Sequence, residues 1–137
     1  MRPNNFFYVK CANDGKFFRS WIEFLTPYHH MTEREKDVAA RILHQYFKFA
    51  ENVEDPDVRK DLLWSRSSRK DMMASLGMNQ PNFQMTLLKL RNAGFLIDRE
   101  IQPKYIPHVV FQDNKLLLQV MFDWTSEEHT ANNEEQN

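Results

Sequence analysis

At 137 residues, with 42% apolar side chains including eleven Phe and three Trp, the chain has material for one compact core. No apolar run reaches the roughly 18–20 residues needed to span a bilayer, the opening MRPNNFFYVKC has no signal-peptide pattern, and a lone Cys11 excludes an intramolecular disulfide framework, which predicts a reducing, cytoplasmic setting. The net charge of −1 hides a division: Asp57 to Lys104 holds nine Lys and Arg against five Asp and Glu, whereas Asp123 to Asn137 holds five acids and no Lys or Arg.

In chain order, Phe6 to Lys10 is a short β-like run and Asn13-Asp14-Gly15 is a turn signal. Phe17, Phe18, Trp21, Ile22 and Leu25 recur at helical spacing, predicting a short amphipathic helix ended by Pro27. Residues 1–31 are too few for a core of their own, so they are expected to pack on the rest as an arm, with dimer formation as one use for it. His29-His30 and Cys11 raise the question of a metal site. Adjacent histidines without spaced partners fit zinc-ligand spacing poorly, so no metal and no other cofactor is expected.

Thr32 with Glu35 three residues later predicts a capping box, each side chain satisfying a free backbone N–H of the other. Val38, Ala39, Ile42, Leu43, Tyr46 and Phe47 then form the apolar stripe of a long helix. The aromatic set Phe17, Phe18, Trp21, Tyr46 and Phe47 suits a core, with a ligand pocket or a dimer interface as the alternatives. Asp55-Pro56 opens another helix, since Asp accepts at the N-cap and Pro needs no partner for a missing N–H. Its buried side is predicted as Val58, Leu62 and Leu63.

Ser67 or Ser68 is read as the cap of a helix from Arg69 to Leu76 with Met72, Met73 and Leu76 inward, and Gly77 as its stop. Asn79 caps the next helix, Pro81 fills its first turn, Phe83, Leu87 and Leu90 share one face, and Gly94 ends it. Two amphipathic helices joined by a short glycine turn make a helix-turn-helix pattern. Strands are then predicted over Phe95 to Ile101 and Leu116 to Phe122, the latter after an Asp113-Asn114-Lys115 turn. Between them QPKYIPHVVFQ, with two prolines, reads as a loop or wing. The predicted class is therefore mainly α with a small β-hairpin wing, a winged helix-turn-helix domain over residues 32–124. The tail 125–137 is polar and acidic and is expected to be disordered.

On these residues LGMNQPNFQMTLLKLRNAGFL, Leu76 to Leu96, resembles the turn and recognition helix of bacterial winged-helix repressors, including the metal-sensing and multiple-antibiotic-resistance classes. MTEREKDVAARIL resembles the helix opening of quorum-sensing-type response regulators, and the layout is similar to small winged-helix proteins of phages. The resemblance implies a non-enzymatic regulator that is dimeric, binds a pseudo-palindromic site and works in a bacterial or phage-infected cell. It implies double-stranded DNA as partner, with the helix from Asn79 in the major groove. Asn79, Gln80, Asn82, Gln84 and Met85 are the candidate DNA contacts of that helix. Arg66, Arg69, Lys70, Lys89 and Arg91 would meet phosphates, joined by Arg99 and Lys104 from the wing.

The sequence departs from those repressors at Met85 and Thr86, where they often carry Arg, Lys or His. Asn and Gln can pair with adenine and Met can touch a thymine methyl, but the common arginine–guanine contact is missing from the first turns. The expected outward set is Asn82, Met85 and Lys89, with Gln84 and Leu88 toward one flank and Thr86 toward the other. No nucleophile elbow, phosphate-cradling glycine loop or carboxylate pair in a recognisable context supports catalysis. The alternative is a protein-interaction or structural module, such as a phage assembly component or an RNA polymerase adaptor, suggested by the near-zero net charge and the acidic tail.

Overall fold

The computed structural model describes residues 14–112 and 115–124. The expected strand at Phe6 to Lys10, Cys11, the turn residues Asp113 and Asn114, and the tail from residue 125 lie outside them. Helices α1 (Asp14–Phe24), α2 (Thr26–His29), α3 (Glu33–Ala50), α4 (Pro56–Leu63), α5 (Arg66–Leu76) and α6 (Gln80–Asn92) come first. The hairpin of β1 (Leu96–Ile97) and β2 (Glu100–Ile101), a 3-10 turn (Pro103–Tyr105), and the hairpin of β3 (His108–Gln112) and β4 (Lys115–Gln119) follow. The mainly helical class with small antiparallel β structure is thus present. Among the described residues, no helix is long and apolar enough to cross a membrane. The chain divides into two compact units, Met1–Ile106 and Pro107–Asn137.

In the first unit α3 is the hub on which α1, α4, α5 and α6 all pack. Its stripe of Val38, Ala39, Ile42 and Leu43 is buried, and Tyr46 and Phe47 are half-buried. Phe18, Trp21 and Ile22 of α1 are buried. Ring centroids of Phe18 and Phe47 stand 5.1 Å apart; Phe18 and Trp21 belong to the core, and Phe17, Tyr46 and Phe47 are half-buried at its edge. Trp21 also donates its indole N–H to the carbonyl of Tyr105 at 2.8 Å, tying the first helix to the chain beyond the hairpin.

Helix ends follow local capping chemistry at some positions and depart from it at others. Thr32 accepts from the N–H of Glu35, but the Glu35 carboxylate takes the Thr32 hydroxyl at 2.6 Å instead of its N–H, so only half of the expected box forms. Asp55 caps α4 by accepting from Asp57 N–H at 2.9 Å. Val58, expected inside, is exposed, and Leu63 is the buried residue of that helix. Asp14 and Gly15 start α1 where a turn was expected, and Pro27 lies in the short α2 following α1. Proline suits a first helical turn as well as a stop, and the local pattern could not choose.

The cap of α5 is Ser65, not Ser67 or Ser68, so that helix begins one turn earlier at Arg66. Ser65 Oγ accepts from Ser68 N–H at 3.2 Å and donates to Leu62 O at 2.8 Å. Ser68 is instead buried, where Gln45 donates to its hydroxyl at 3.1 Å and Arg41 in turn donates to Gln45 at 2.8 Å. Desolvation lowers the Arg41 pKa from its ordinary value. A buried polar chain runs from α3 to α5 through these side chains.

His29 is likewise a core residue. Its Nδ1 accepts from Met31 N–H at 3.0 Å, so Nε2 must carry the proton that it donates to Ile22 O at 2.8 Å. Both ring nitrogens are thereby engaged by backbone, which closes the α2 turn between α1 and α3.

The predicted long strand from Phe95 to Ile101 folds back on itself. Leu96 pairs with Ile101 and Ile97 with Glu100, leaving Asp98-Arg99 as a two-residue loop. Asp98 sits at φ 56°, a left-handed conformation that Asp tolerates better than most side chains. The stretch read as a loop contains β3, which pairs with β4 from His108↔Gln119 to Gln112↔Lys115 in the second unit. The fourth strand ends at Gln119, three residues before the expected Phe122. Sequence alternation cannot separate one strand from a tight hairpin of two short ones, because both place apolar residues at the ends.

Candidate nucleic-acid interface

The segment Leu76 to Leu96 is built by two matching turns. Gly77, at φ 63°, closes α5 while Met78 N–H reaches Met73 O at 3.0 Å and Gly77 N–H reaches Ala74 O at 3.3 Å. Gly94, at φ 83°, repeats this after α6, with Phe95 N–H on Leu90 O at 2.9 Å and Gly94 N–H on Arg91 O at 3.1 Å. These bonds satisfy carbonyls that each helix end would otherwise leave open. Asn79 caps α6 by accepting from Asn82 N–H at 2.9 Å. Its side-chain oxygen therefore already accepts one bond from the helix, which fixes the orientation of the amide.

Helix α6 is anchored by Phe83, Leu87 and Leu90, as expected, and also by Thr86. Thr86 was expected on a flank. It is only 8% exposed, and its hydroxyl donates to Asn82 O at 2.9 Å, which satisfies the one polar group that inward rotation would bury. With Thr86 inside, the 100° step per residue puts Pro81, Met85, Leu88 and Asn92 on the outermost ridge. Asn82 and Lys89 fall on one flank, and Gln80, Gln84 and Arg91 on the other, all exposed. Met85 and Leu88 are 59% and 53% exposed, so the middle of this ridge is apolar, with Asn92 at its end, and the flanks are polar and basic.

Arg66 and Lys70 are exposed on α5, and Arg69 is half-buried there. Arg69 meets Gln84 and Arg91 of α6 and Arg99 of the hairpin around a shallow groove of about 270 Å3, floored by the buried Leu87 and also lined by Trp64 and Asp98. A more open depression beside it shares Arg91, Asp98 and Arg99 and adds Leu96. Lys104 does not join them at the hairpin tip. It lies in the 3-10 turn with its ammonium 5.2 Å from the Tyr105 ring centroid, and burial of Tyr105 raises that phenol's pKa.

The loop that carries Arg99 is held from α4. Trp64, which follows the last residue of α4, donates its indole N–H to Arg99 O at 2.7 Å. Lys60 reaches Glu100 at 3.3 Å and Asp61 stands 3.8 Å from Arg99. The two ion pairs are exposed and long, and pairs of that kind contribute about 0–1 kcal/mol. No family model, curated protein or solved structure matches the chain. The functional reading therefore rests on geometry. Trp64 and Asp98 are the lining residues that sequence reasoning missed. The available signal was an aromatic between Asp61 and Arg66 in the basic segment, but its neighbour across the fold is 35 residues away.

Proposed function

We propose that this chain is a non-enzymatic, winged helix-turn-helix protein that binds double-stranded DNA and regulates transcription. The observation that carries this reading is the placement of α6. Its inner face is fully anchored, while Gln80, Asn82, Gln84, Lys89 and Arg91 are exposed along both flanks and the β1–β2 hairpin follows immediately. In this reading α5 and α6 form the helix-turn-helix and that hairpin is the wing. Phosphate contacts by Arg66, Arg69, Lys70, Lys89, Arg91 and Arg99 would supply most of the affinity. The apolar ridge of Met85 and Leu88 would meet thymine methyl groups, so the preferred sites would be rich in A·T. A dimer would set two α6 helices about 34 Å apart on a two-fold site.

The test is fluorescence anisotropy with the full chain and mixed-sequence duplexes at low salt. Binding that falls steeply with salt, and weakens across all sequences in Lys89→Ala and Arg69→Ala, is the expected result. Absence of binding to any duplex at low salt would overturn the reading. A second reading is favoured by the same two ridge residues: exposed Met85 and Leu88 also suit a protein-docking helix, as in an RNA polymerase adaptor or a phage assembly component. Retention of a stoichiometric protein partner that Met85→Ala and Leu88→Ala release, with no DNA binding, would establish it instead.

A further inference from the structure

We infer that the groove bordered by Arg69, Arg91 and Arg99 is a preformed seat for a phosphate group, and that Trp64 is the positioning residue that holds it in shape. The inference deepens the DNA-binding reading and rests on it only for the source of the phosphate.

Three arginines from three separate elements, α5, α6 and the β1–β2 loop, line this groove. Like charges gathered in one depression repel, and the fold offers little to offset them. Asp98 lines the groove, and Asp61 stands 3.8 Å from Arg99 with both side chains more than half exposed. The side chains of Arg69 and Arg91 have no ion-pair or hydrogen-bond partner among the described residues. The Arg69 Nε–H is moreover buried without an acceptor, so the fold does not compensate that side of its guanidinium. Arg41 and Arg59 also carry an orphaned Nε but do not line the groove, so the orphan weighs here because it coincides with the convergence of charge.

A tetrahedral phosphate meets these features together. Its oxygens accept from planar guanidinium forks, and Arg suits such bidentate recognition better than Lys. The Gln84 amide adds a neutral donor on the same rim. The apolar Leu87 behind it excludes water from one side, which strengthens the charge interaction. The indole N–H of Trp64 is already spent on Arg99 O, so Trp64 acts through Arg99 and not on the anion itself. By fixing the carbonyl of a loop residue next to the left-handed Asp98, it fixes where the third guanidinium starts. The phosphate could come from the backbone of a duplex or from a free phosphate compound, and the chemistry of the seat is the same for both.

The full chain is titrated with inorganic phosphate at low, constant ionic strength, following arginine Nε–H and tryptophan indole resonances by NMR, with chloride as the control anion. Saturable shifts of the groove arginine Nε–H resonances and of the Trp64 indole are expected. Roughly tenfold weaker binding is expected in each of Arg69→Gln, Arg91→Gln and Arg99→Gln, with no change in Arg59→Gln. Trp64→Phe should weaken phosphate severalfold while thermal unfolding shows that the chain remains folded. If it does not fold, the three exchanges of groove arginines still decide the seat. No saturable shift, an equal response to chloride, or equal weakening by Arg59→Gln would overturn it. In the duplex arm, phosphate should compete with DNA, and each groove exchange should lower the salt slope by about one. Phosphate binding without duplex binding keeps the seat and removes the DNA reading. Duplex binding that leaves all three arginines unmoved removes the seat and keeps the DNA reading.

Discussion

The indole N–H of Trp21 donates to the carbonyl of Tyr105 at 2.8 Å, across 84 positions of the chain. Together with Trp64 on Arg99 O, it means that two tryptophans hold the backbone on either side of β2, one from α1 and one from the end of α4. Trp21→Phe keeps most of the ring but leaves a buried carbonyl without its donor. It is expected to lower stability by about 1–3 kcal/mol, the cost of an unsatisfied buried polar group. Urea unfolding would measure it. An unchanged midpoint would show that the bond contributes nothing net.

The junction of α1 and α3 is electrostatic at its rim. Lys36 lies 2.9 Å from both Glu23 and Glu33, and Arg19 bonds Glu23, Glu33 and Asp37 at 2.7–3.1 Å. Hydrogen bonds from Lys36, Thr26 and Arg19 lower the Glu23 pKa to about 2, and those from Lys36 and Arg19 lower that of Glu33. The two carboxylates raise the Lys36 pKa. For Arg19, partial burial opposes the charge and is outweighed by hydrogen bonds to Asp37, Glu23 and Glu33, so its pKa is also raised.

Depressed carboxylate pKa values mean that the folded chain binds protons more weakly than the unfolded one. The stabilisation is present above the ordinary value of 4.5 and is lost as pH falls from there toward about 2. Unfolding midpoints measured between pH 6 and pH 2 should therefore drop in that window. Glu23→Gln should flatten the drop. An unaltered pH profile in that variant would remove Glu23 from the account.

Gly77 is required by backbone geometry alone, since a Cβ built on it meets nothing within 4 Å. Gly77→Ala should cost about 1–2 kcal/mol, because a left-handed conformation disfavours a Cβ by that amount. Gly77→Asn should recover part of the loss, as Asn visits this region more readily. Thermal unfolding of both variants checks the order. Equal stability of Ala and Asn would show that something other than φ governs the position.

Ser68→Ala tests the polar chain between α3 and α5. It removes the acceptor of the Gln45 amide, which is 1% exposed and so closed to bulk solvent. The expected loss is about 1–3 kcal/mol, in spite of alanine's better helix propensity. A neutral or stabilising result in chemical denaturation would mean that Gln45 finds another acceptor.

Much of this fold was legible locally. The stripe of α3, the Asp55 and Asn79 caps, both glycine stops and the anchors Phe83, Leu87 and Leu90 all follow from neighbours within one or two helical turns. The corrections share a different physical origin. Ser65 rather than Ser68 caps α5 because Ser68 is taken inward by Gln45, and Thr86 lies on the face of α6 that packing buries, a position its hydroxyl tolerates by bonding Asn82 O. Each is settled by which polar group finds a partner once the helices are packed.

For the candidate site the division is sharper. The sequence by itself determined which side chains are basic and placed Gln80, Asn82, Gln84, Met85, Lys89 and Arg91 on one exposed helix, because a 3.6-residue repeat orients them once the apolar anchors are known. Only the tertiary structure decided that Arg69, Arg91 and Arg99 share a groove with Trp64 and that Lys104 does not. Those neighbours lie on different elements, and their meeting depends on how α4, α5 and α6 and the hairpin pack. No periodicity within one element encodes the distance to another.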